Sequence, residues 1–307
     1  MYESLKEHTS DFNLFMFAFD DLTKEILLKL HLNNVIVVSL EELETEELKN
    51  AKKDRSKAEY CWTCTPSIIS YVFKNSDVAD CTYIDSDLIF YSDPEVLLSE
   101  LDEFKKNVLI TEHRFSYLPR LYEEKRAGRF CVQLLTFRNE ESSLIILDKW
   151  RNQCIDWCYA RYEDGRFGDQ KYLDEWPALY DNIHILVNQG GGIAPWNLGR
   201  YKFWKDQNSV KARLRIEGPA FDPVFYHFQY VKFLENGSYD IGWYLIPPCV
   251  KNLFYKPYLL KLESIESMLR ELNPNYHKVF TSFKYDSLKD IVKTGVKKIF
   301  GYNIMNI

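Results

Sequence analysis

The amino-acid sequence predicts an α/β fold, with a mainly parallel sheet flanked by helices and a helical extension at the C-terminus. Three observations support this class. Apolar runs of strand length alternate with helical patterns through the first half of the chain, as in successive βα units. The 307 residues suffice for one large domain with an appendage. Two aspartates, Asp85 and Asp87, directly follow an apolar strand pattern, and strand ends are where open α/β sheets bind ligands.

The predicted elements follow in order along the chain. Residues 13–19 and 35–40 have the continuous apolar character of buried strands, and Asp20 or Asp21 is suited to cap the helix between them. The later elements are helices at 41–57 and 59–73, strands at 81–84, 107–111 and 130–137, a helix at 140–162, and strands at 184–187 and 224–230. From about residue 251 the pattern is helical. We therefore predict a main domain at residues 1–250 and a helical extension at 251–307.

Composition and charge argue against several classes of protein. A net charge of −6 disfavours a dedicated nucleic-acid binder, whose surface would be basic. No apolar run approaches the roughly 20 residues that span a bilayer, so we expect a soluble protein. The seven cysteines are odd in number and scattered through apolar segments, which indicates reduced thiols and a cytoplasmic location.

The segment Asp85-Ser86-Asp87 is the strongest local signal of chemistry. Two carboxylates one residue apart at the end of a buried strand are poor core material, and a divalent cation would resolve the conflict. Carboxylate oxygens suit Mg²⁺ or Mn²⁺, which can bridge the phosphates of a nucleotide sugar. A solvated turn with aspartate caps is the alternative. The apolar residues on both sides, at 83–84 and 88–90, favour the metal site.

These residues carry a resemblance to a known family. The run from Tyr83 to Phe90, followed by Ser92-Asp93-Pro94, resembles the D-x-D region of GT-A-fold glycosyltransferases, especially the family-eight-like nucleotide-diphospho-sugar transferases. Three later segments agree in order: Phe167-Gly168-Asp169-Gln170, Gly190 to Asn197, and Tyr226-His227-Phe228. The resemblance covers roughly residues 13 to 232, and four segments in order are more specific than any one of them.

The resemblance implies roles for individual residues. Asp87 and His227 would bind the metal directly, and Asp85 would share the metal or hold the ribose of the donor. Asp169 and Gln170 would lie near the donor sugar, at the catalytic position. Taken alone, His227 is more typical of a hydrogen-bonded core histidine, and Asp169 is equally suited to cap the helix that starts at Gln170.

Glycines and arginines supply further candidates for donor binding. Gly191 and Gly192 either form a turn or let the backbone approach the donor closely, and the resemblance favours contact with ligand. Arg55 and Arg114 are each suited to pair with a phosphate as a fork, or are ordinary surface charges. Both arginines rank below the carboxylates.

Two features depart from the family pattern. Cys131 stands where relatives commonly carry Asn or a similar polar residue, so a sugar contact is missing or replaced there. GT-A domains usually open with a strand that holds the nucleotide base, whereas the segment from Met1 to Leu5 has the character of the helix that follows it. We therefore expect the first strand to be missing, an open slot beside the strand at 13–19, and weak donor binding.

The predicted function is a metal-dependent glycosyltransferase. It would move a sugar from a nucleotide-diphosphate donor to a saccharide or glycolipid acceptor, and the resemblance implies hexosyl transfer with retention of configuration. The alternatives are a non-catalytic or truncated sugar-nucleotide-binding protein, and a phosphohydrolase with an aspartate nucleophile. Ile89 disfavours the phosphohydrolase, because such enzymes usually have Thr or Val at that position.

The C-terminal segment at about 281–307 predicts a membrane contact. Lysines from Lys284 to Lys298 are interleaved with apolar residues, and basic amphipathic helices bind anionic membranes. Such a helix would hold the enzyme peripherally at the inner face of the membrane, near a lipid-linked acceptor. The alternative is a helix packed back on the main domain with its lysines solvated.

Overall fold

The computed structural model describes residues 1–116, 120–282 and 287–307. Its strands, numbered in chain order, are β1 Leu14–Ala18, β2 Val35–Ser39, β3 Asp80–Ile84, β4 Leu88–Phe90, β5 Val108–Glu112, β6 Phe130–Arg138, β7 Ile183–Ile185, β8 Tyr201–Asp206, β9 Ser209–Leu214, β10 Ala220–Phe221, β11 Phe225–His227, β12 Lys232–Phe233, β13 Tyr239–Asp240 and β14 Ile304–Met305.

The α-helices, also in chain order, are α1 Tyr2–His8, α2 Asp21–Lys29, α3 Leu40–Leu43, α4 Glu46–Lys52, α5 Lys57–Asn75, α6 Glu95–Leu98, α7 Glu100–Glu103, α8 Arg120–Ala127, α9 Glu141–Asp156, α10 Trp176–Leu179, α11 Pro248–Val250, α12 Lys256–Leu272 and α13 Leu288–Phe300. Two 3₁₀ helices, Gln170–Glu175 and Pro195–Arg200, lie near the site described below. Among the residues described, none of the helices combines the length and the hydropathy that crossing a bilayer requires.

Side chains that satisfy backbone groups define the ends of the main helices. Asp20 caps α2, as predicted, by accepting a hydrogen bond from the Thr23 amide at 2.7 Å. Helix α9 ends at Asp156, earlier than its sequence pattern predicts. The next residue, Trp157, has extended backbone, and shortly beyond it the Ala160 amide donates to the Glu59 carboxylate of α5 at 2.7 Å. The segment after α9 therefore lies against α5.

Strands β3, β6, β5 and β7 form one sheet in that order, and β1 and β2 form a separate pair. The α/β class is confirmed. The pairing is less parallel than predicted, because β6 runs antiparallel to both β3 and β5, while β1–β2 and β5–β7 are parallel. Buried strands have the same continuous apolar pattern in either direction, so periodicity does not determine direction.

Two hydrophobic cores hold the elements around the site. Trp150 of α9 is fully buried in the first core, and its indole N–H donates to the Asp169 carbonyl at 2.9 Å. Tyr226 of β11 lies in the second core with Phe254, Tyr255 and Leu259, so the segment after residue 250 shares a core with the strands before it. The domain boundary at 250 stays a prediction.

A cleft of about 1510 Å³ extends between β1 and β3 and continues to the ends of β3 and β11. Within the described residues, β1 pairs only with β2, and β3 pairs only with β6. The facing edges of the two sheets therefore have no strand between them, and helix α1 is what precedes β1. The absence of a first strand from the domain stays a prediction.

Candidate active site

The pairing of β3 with β6 positions Asp85. Ile84, the last residue of β3, lies opposite Leu134 of β6. The pairing continues one residue further, because the Asp85 amide donates to the Gln133 carbonyl at 3.1 Å. The Asp85 side chain is further held by the Tyr83 hydroxyl, which donates to Asp85 Oδ1 at 2.9 Å. Asp85 Oδ2 is directed toward His227 instead and lies 3.6 Å from His227 Nε2.

The pairing of β4 with β11 brings His227 beside the aspartates. His227 lies opposite Leu88 in the antiparallel register, and the Phe228 amide donates to the Asp87 carbonyl at 3.0 Å. Asp87 directly precedes Leu88, so this register places the Asp87 backbone one position from the Leu88–His227 pair, and the two side chains meet with 3.0 Å between Asp87 Oδ1 and His227 Nε2. The pairing therefore closes the long separation in sequence between Asp87 and His227.

The three predicted metal ligands converge on one point. His227 Nε2 lies 3.0 Å from Asp87 Oδ1, and one ligand atom from each of Asp85, Asp87 and His227 lies within 4.8 Å of the others. Their side chains are 29%, 40% and 6% exposed, and all three line the cleft, so the two carboxylates face its space.

Gln133 orients the His227 ring, and sequence reasoning missed this role. Gln133 is fully buried on β6, and its Oε1 lies 3.0 Å from His227 Nδ1. An amide oxygen only accepts, so the proton of this hydrogen bond belongs to Nδ1. His227 Nε2 is then the nitrogen directed at the two aspartates. A polar amide within the apolar run of β6 was the available signal.

The electrostatics of the cluster fit a bound cation. Burial, together with the charge of Asp87, raises the pKa of Asp85 to about 6, even though His227 opposes the shift. Burial would raise the pKa of Asp87 as well, but the hydrogen bond from His227 and the positive charge of His227 lower that pKa below its ordinary value. Burial would lower the pKa of His227, and the two carboxylates raise it instead. Two carboxylates and one imidazole are a donor set suited to Mn²⁺ or Mg²⁺.

Asp169 adds a third carboxyl group to the cleft. Its side chain is buried, and burial followed by the charge of Asp85 raises its pKa to about 7. Asp169 stands at the start of the 3₁₀ helix Gln170–Glu175, but its side chain makes no capping hydrogen bond there. Gln170 also lines the cleft and donates to the Ala127 carbonyl at 2.6 Å. Asp169 and Gln170 line the same cleft as the cluster of Asp85, Asp87 and His227.

Aromatic rings form the wall of the cleft next to the cluster. Trp196 lies edge-on to His227 at 5.4 Å and to His113 at 5.3 Å between ring centroids. Burial lowers the pKa of His113 to about 3, so its ring is neutral at pH 7 and stacks on Phe115. Cys131 lines the same wall. The segment from Gly190 to Asn197 therefore contributes an indole ring to the cleft.

The structure does not bring Gly191 and Gly192 to the cleft lining. A Cβ at Gly191 would lie 2.6 Å from Leu186, and one at Gly192 would lie 2.8 Å from Thr111. Gly192 also has a φ of +79°, which favours glycine. Packing against protein explains both residues: Gly191 lets the loop pass close to Leu186 and Leu97, and Gly192 lets it pass close to Thr111 and Gln133.

The arginines that were candidates for phosphate contacts are occupied elsewhere. Arg55 makes hydrogen bonds to Asp54 and Tyr159 and stacks on the Tyr159 ring at 3.8 Å, outside the cleft lining. Arg114 is buried and donates to the carbonyls of Leu186, Asn188 and Gly191. Both arginines hold loops together in this structure.

Comparison with known proteins gives distant relatives. No protein-family model matches the chain. It is similar to the uncharacterized protein YfnD of Bacillus subtilis (strain 168), with 29% identity over 281 residues that cover 90% of this chain and 88% of YfnD. The uncharacterized protein YfnF of the same strain is 29% identical over 235 residues, covering 74% of this chain and 75% of YfnF.

One solved structure is also similar to the chain. The crystal structure of mouse xyloside xylosyltransferase 1 in its apo form matches with 14% identity and a TM-score of 0.45, covering 80% of this chain and 91% of the mouse chain. The residues of the cleft carry the functional evidence.

Proposed function

We propose that this protein is a metal-dependent glycosyltransferase that uses a nucleotide-diphosphate sugar as donor. The observation that carries the proposal is the convergence of Asp85, Asp87 and His227 in the lining of a cleft of about 1510 Å³. Such a cleft is large enough for a nucleotide sugar, and its aromatic wall is suited to sugar rings.

The proposed metal is Mn²⁺ or Mg²⁺, held by Asp85, Asp87 and His227. When bound, the cation would neutralise the diphosphate of the donor and stabilise it as the leaving group. Tyr83 fixes the orientation of Asp85, and Gln133 fixes that of His227. Preorganised ligands of this kind need little rearrangement when the metal binds.

Asp169 and Gln170 are proposed to contact the donor sugar. Asp169 is buried beside Asp85, and its raised pKa of about 7 means that it exchanges a proton near neutral pH. In its protonated form it can donate a hydrogen bond to a sugar oxygen, and in its ionised form it can accept one from a hydroxyl. Gln170 is fixed by its bond to the Ala127 carbonyl, which leaves its amide oxygen as an acceptor.

Hexosyl transfer with retention of configuration and a saccharide or glycolipid acceptor rest on the sequence resemblance. A cytoplasmic location rests on the odd number of scattered cysteines, and peripheral contact with the inner face of the membrane rests on the lysine pattern of the C-terminal segment. Of those lysines, Lys284 lies outside the described residues. A second candidate is a sugar-nucleotide-binding protein without turnover. The open space between the edges of β1 and β3 favours it, because that space weakens one wall of the cleft.

A thermal-shift screen tests the proposed function. Each nucleotide sugar would be added with and without Mn²⁺, because a ligand that binds the native state raises its apparent stability. We expect at least one donor to stabilise the wild-type protein only when Mn²⁺ is present, and expect Asp87→Ala to abolish that effect. Asp93→Ala is the matched control, since Asp93 is a carboxylate that lines the cleft outside the cluster. A donor that stabilises Asp87→Ala as it does the wild type contradicts the proposal.

A further inference from the structure

We propose that Arg126 recognises an anionic group, either a carboxylate or a phosphoryl group, on the acceptor saccharide. The inference deepens the proposed function by naming the chemical class of the acceptor, and it rests on that function. The acceptor subsite is defined by four residues that line the cleft: Arg126, Phe167, Trp196 and Tyr244.

The cleft is rich in carboxyl groups and poor in cations. Within the part of the chain that the structure describes, Arg126 is the only lysine or arginine in its lining. Eight carboxyl groups share that lining: Asp11, Asp80, Asp85, Asp87, Asp93, Glu95, Glu123 and Asp169. Such a surface repels anions along most of its length. The single guanidinium group therefore decides where, outside the metal cluster, an anionic group can bind.

The guanidinium group of Arg126 is held at the cleft with hydrogen-bond donors to spare. It lies over the Phe167 ring, 5.2 Å from the centroid, and its Nη2 donates to Glu123 Oε2 at 2.8 Å. Within the described residues, its Nε and Nη1 groups make no hydrogen bond. A guanidinium fork binds carboxylate or phosphoryl oxygens through two N–H groups. The Arg126 side chain is 41% exposed, and ion pairs this exposed are weak, so a ligand can join or displace Glu123.

Trp196 connects the acceptor subsite to the metal cluster. Its ring centroid lies 5.4 Å from that of His227 and 6.4 Å from that of Tyr244, and both contacts are edge-on. Aromatic walls of this kind pack against the apolar faces of sugar rings. A saccharide in contact with Trp196 would therefore lie between the metal cluster and Tyr244.

The charge of Arg126 acts on the Tyr244 side of Trp196 and not at the metal cluster. Burial raises the pKa of Tyr244 to about 12, and the charges of Glu123 and Arg126 modify that shift. The pKa of Asp85 depends on burial and on the side chains beside it, and Arg126 is not among them. An anionic group that pairs with Arg126 is therefore separate from the donor diphosphate, which the metal would hold. It belongs to the acceptor saccharide.

Ligand-observed NMR with pairs of saccharides tests this proposal on the full chain, without Mn²⁺ or any nucleotide sugar. The pairs are trigalacturonate with its methyl-esterified form, and glucose 6-phosphate with glucose, so that the carboxylate and the phosphoryl group are separate arms. We expect the anionic member of at least one pair to bind about tenfold more tightly than its neutral partner, because hydrogen bonds between charged groups are strong. Arg126→Gln should remove this preference, and added salt should weaken it.

Two further variants make the result specific to Arg126. Arg120→Gln removes an arginine of the same helix, 50% exposed against 41% for Arg126, whose ion pair with Glu124 resembles that of Arg126 with Glu123. This control should bind the saccharides as the wild type does. Glu123→Gln removes the carboxylate that competes for Arg126, so it should strengthen binding of the anionic member by about threefold. All three variants should keep the wild-type melting temperature.

Equal binding of both members in each pair, no binding of any anionic member, or a preference that Arg126→Gln retains would overturn the proposal. With Mn²⁺ present, an Arg126-dependent preference for a nucleotide uronate over the matching neutral nucleotide sugar would place the anionic group on the donor, and would also overturn it. Loss of the saccharide preference leaves the proposed function standing if a donor still stabilises the protein only with Mn²⁺. The reverse result would contradict the proposed function and retain the anion subsite.

Discussion

Replacing Gln133 by Leu should weaken metal binding without touching a metal ligand. Gln133 Oε1 lies 3.0 Å from His227 Nδ1, and both side chains are buried. Leucine has a similar volume but cannot accept the hydrogen bond, so the Nδ1 proton would lose the acceptor that Gln133 supplies. An unsatisfied buried donor costs about 1–3 kcal/mol. If this free energy is lost from the ring orientation that binds metal, the affinity for Mn²⁺ drops by roughly 5- to 150-fold. Replacing residues that hydrogen-bond to metal ligands typically lowers metal affinity by about 10- to 100-fold, in agreement with this range.

Isothermal titration with Mn²⁺ measures this effect directly, and two variants make it specific. Gln133→Glu keeps an acceptor oxygen for Nδ1. Its affinity for Mn²⁺ should therefore lie near the wild-type level and not below that of Gln133→Leu. Thr136→Val removes another buried polar group of β6, which bonds to Thr82 at 2.9 Å and lies away from the cluster. It should lose stability but keep Mn²⁺ affinity. Wild-type affinity in Gln133→Leu would refute a positioning role for Gln133.

Three further predictions concern pH, the donor subsite and stability. Because the pKa of Asp85 is raised to about 6, its protonated form stabilises the metal-free protein below about pH 4, and that stability is lost as pH rises through about 6. Stabilisation by Mn²⁺ in thermal melts should therefore grow as pH rises past about 6, and a constant shift would contradict this. Asp169→Asn keeps the shape of the side chain but loses proton exchange, so kcat should fall while Mn²⁺ affinity by titration stays within about twofold; unchanged kcat would exclude a role in the reaction. Asp240→Asn leaves the Lys297 ammonium group buried without its carboxylate, so urea unfolding should show a loss of about 3–5 kcal/mol, and a loss below about 1 kcal/mol would mean that the pair is solvated.

The local elements were predictable because their signals are local. The apolar runs at 13–19 and 35–40 became β1 and β2, and Asp20 caps α2 as its position predicted. Strand direction was not predictable, because the run at 130–137 has the same apolar pattern whichever way it pairs. The end of α9 was not predictable either, because the segment just beyond it contacts Glu59 of another helix, and no local pattern contains such a contact.

Residues of the candidate site could be predicted where their type identified them, and could not be predicted where packing decides their position. Asp85 and Asp87 were identifiable because two carboxylates one residue apart at a strand end require an explanation. His227 needed the resemblance, since only the β4–β11 register brings it to the aspartates. The place of Arg55 could not be predicted, because its partners, among them Tyr159, come from a distant loop that folds back on α5.

The most direct test of the account is release of nucleoside diphosphate from a nucleotide sugar, followed by chromatography in the presence of candidate acceptors. The wild-type protein should release nucleoside diphosphate when Mn²⁺ is present, and this release should stop when the metal is chelated. Asp87→Ala should release none, and Asp93→Ala should match the wild type. Turnover that persists in Asp87→Ala or without a divalent cation would contradict a metal-dependent transferase, and donor binding without any release would identify a binding protein instead.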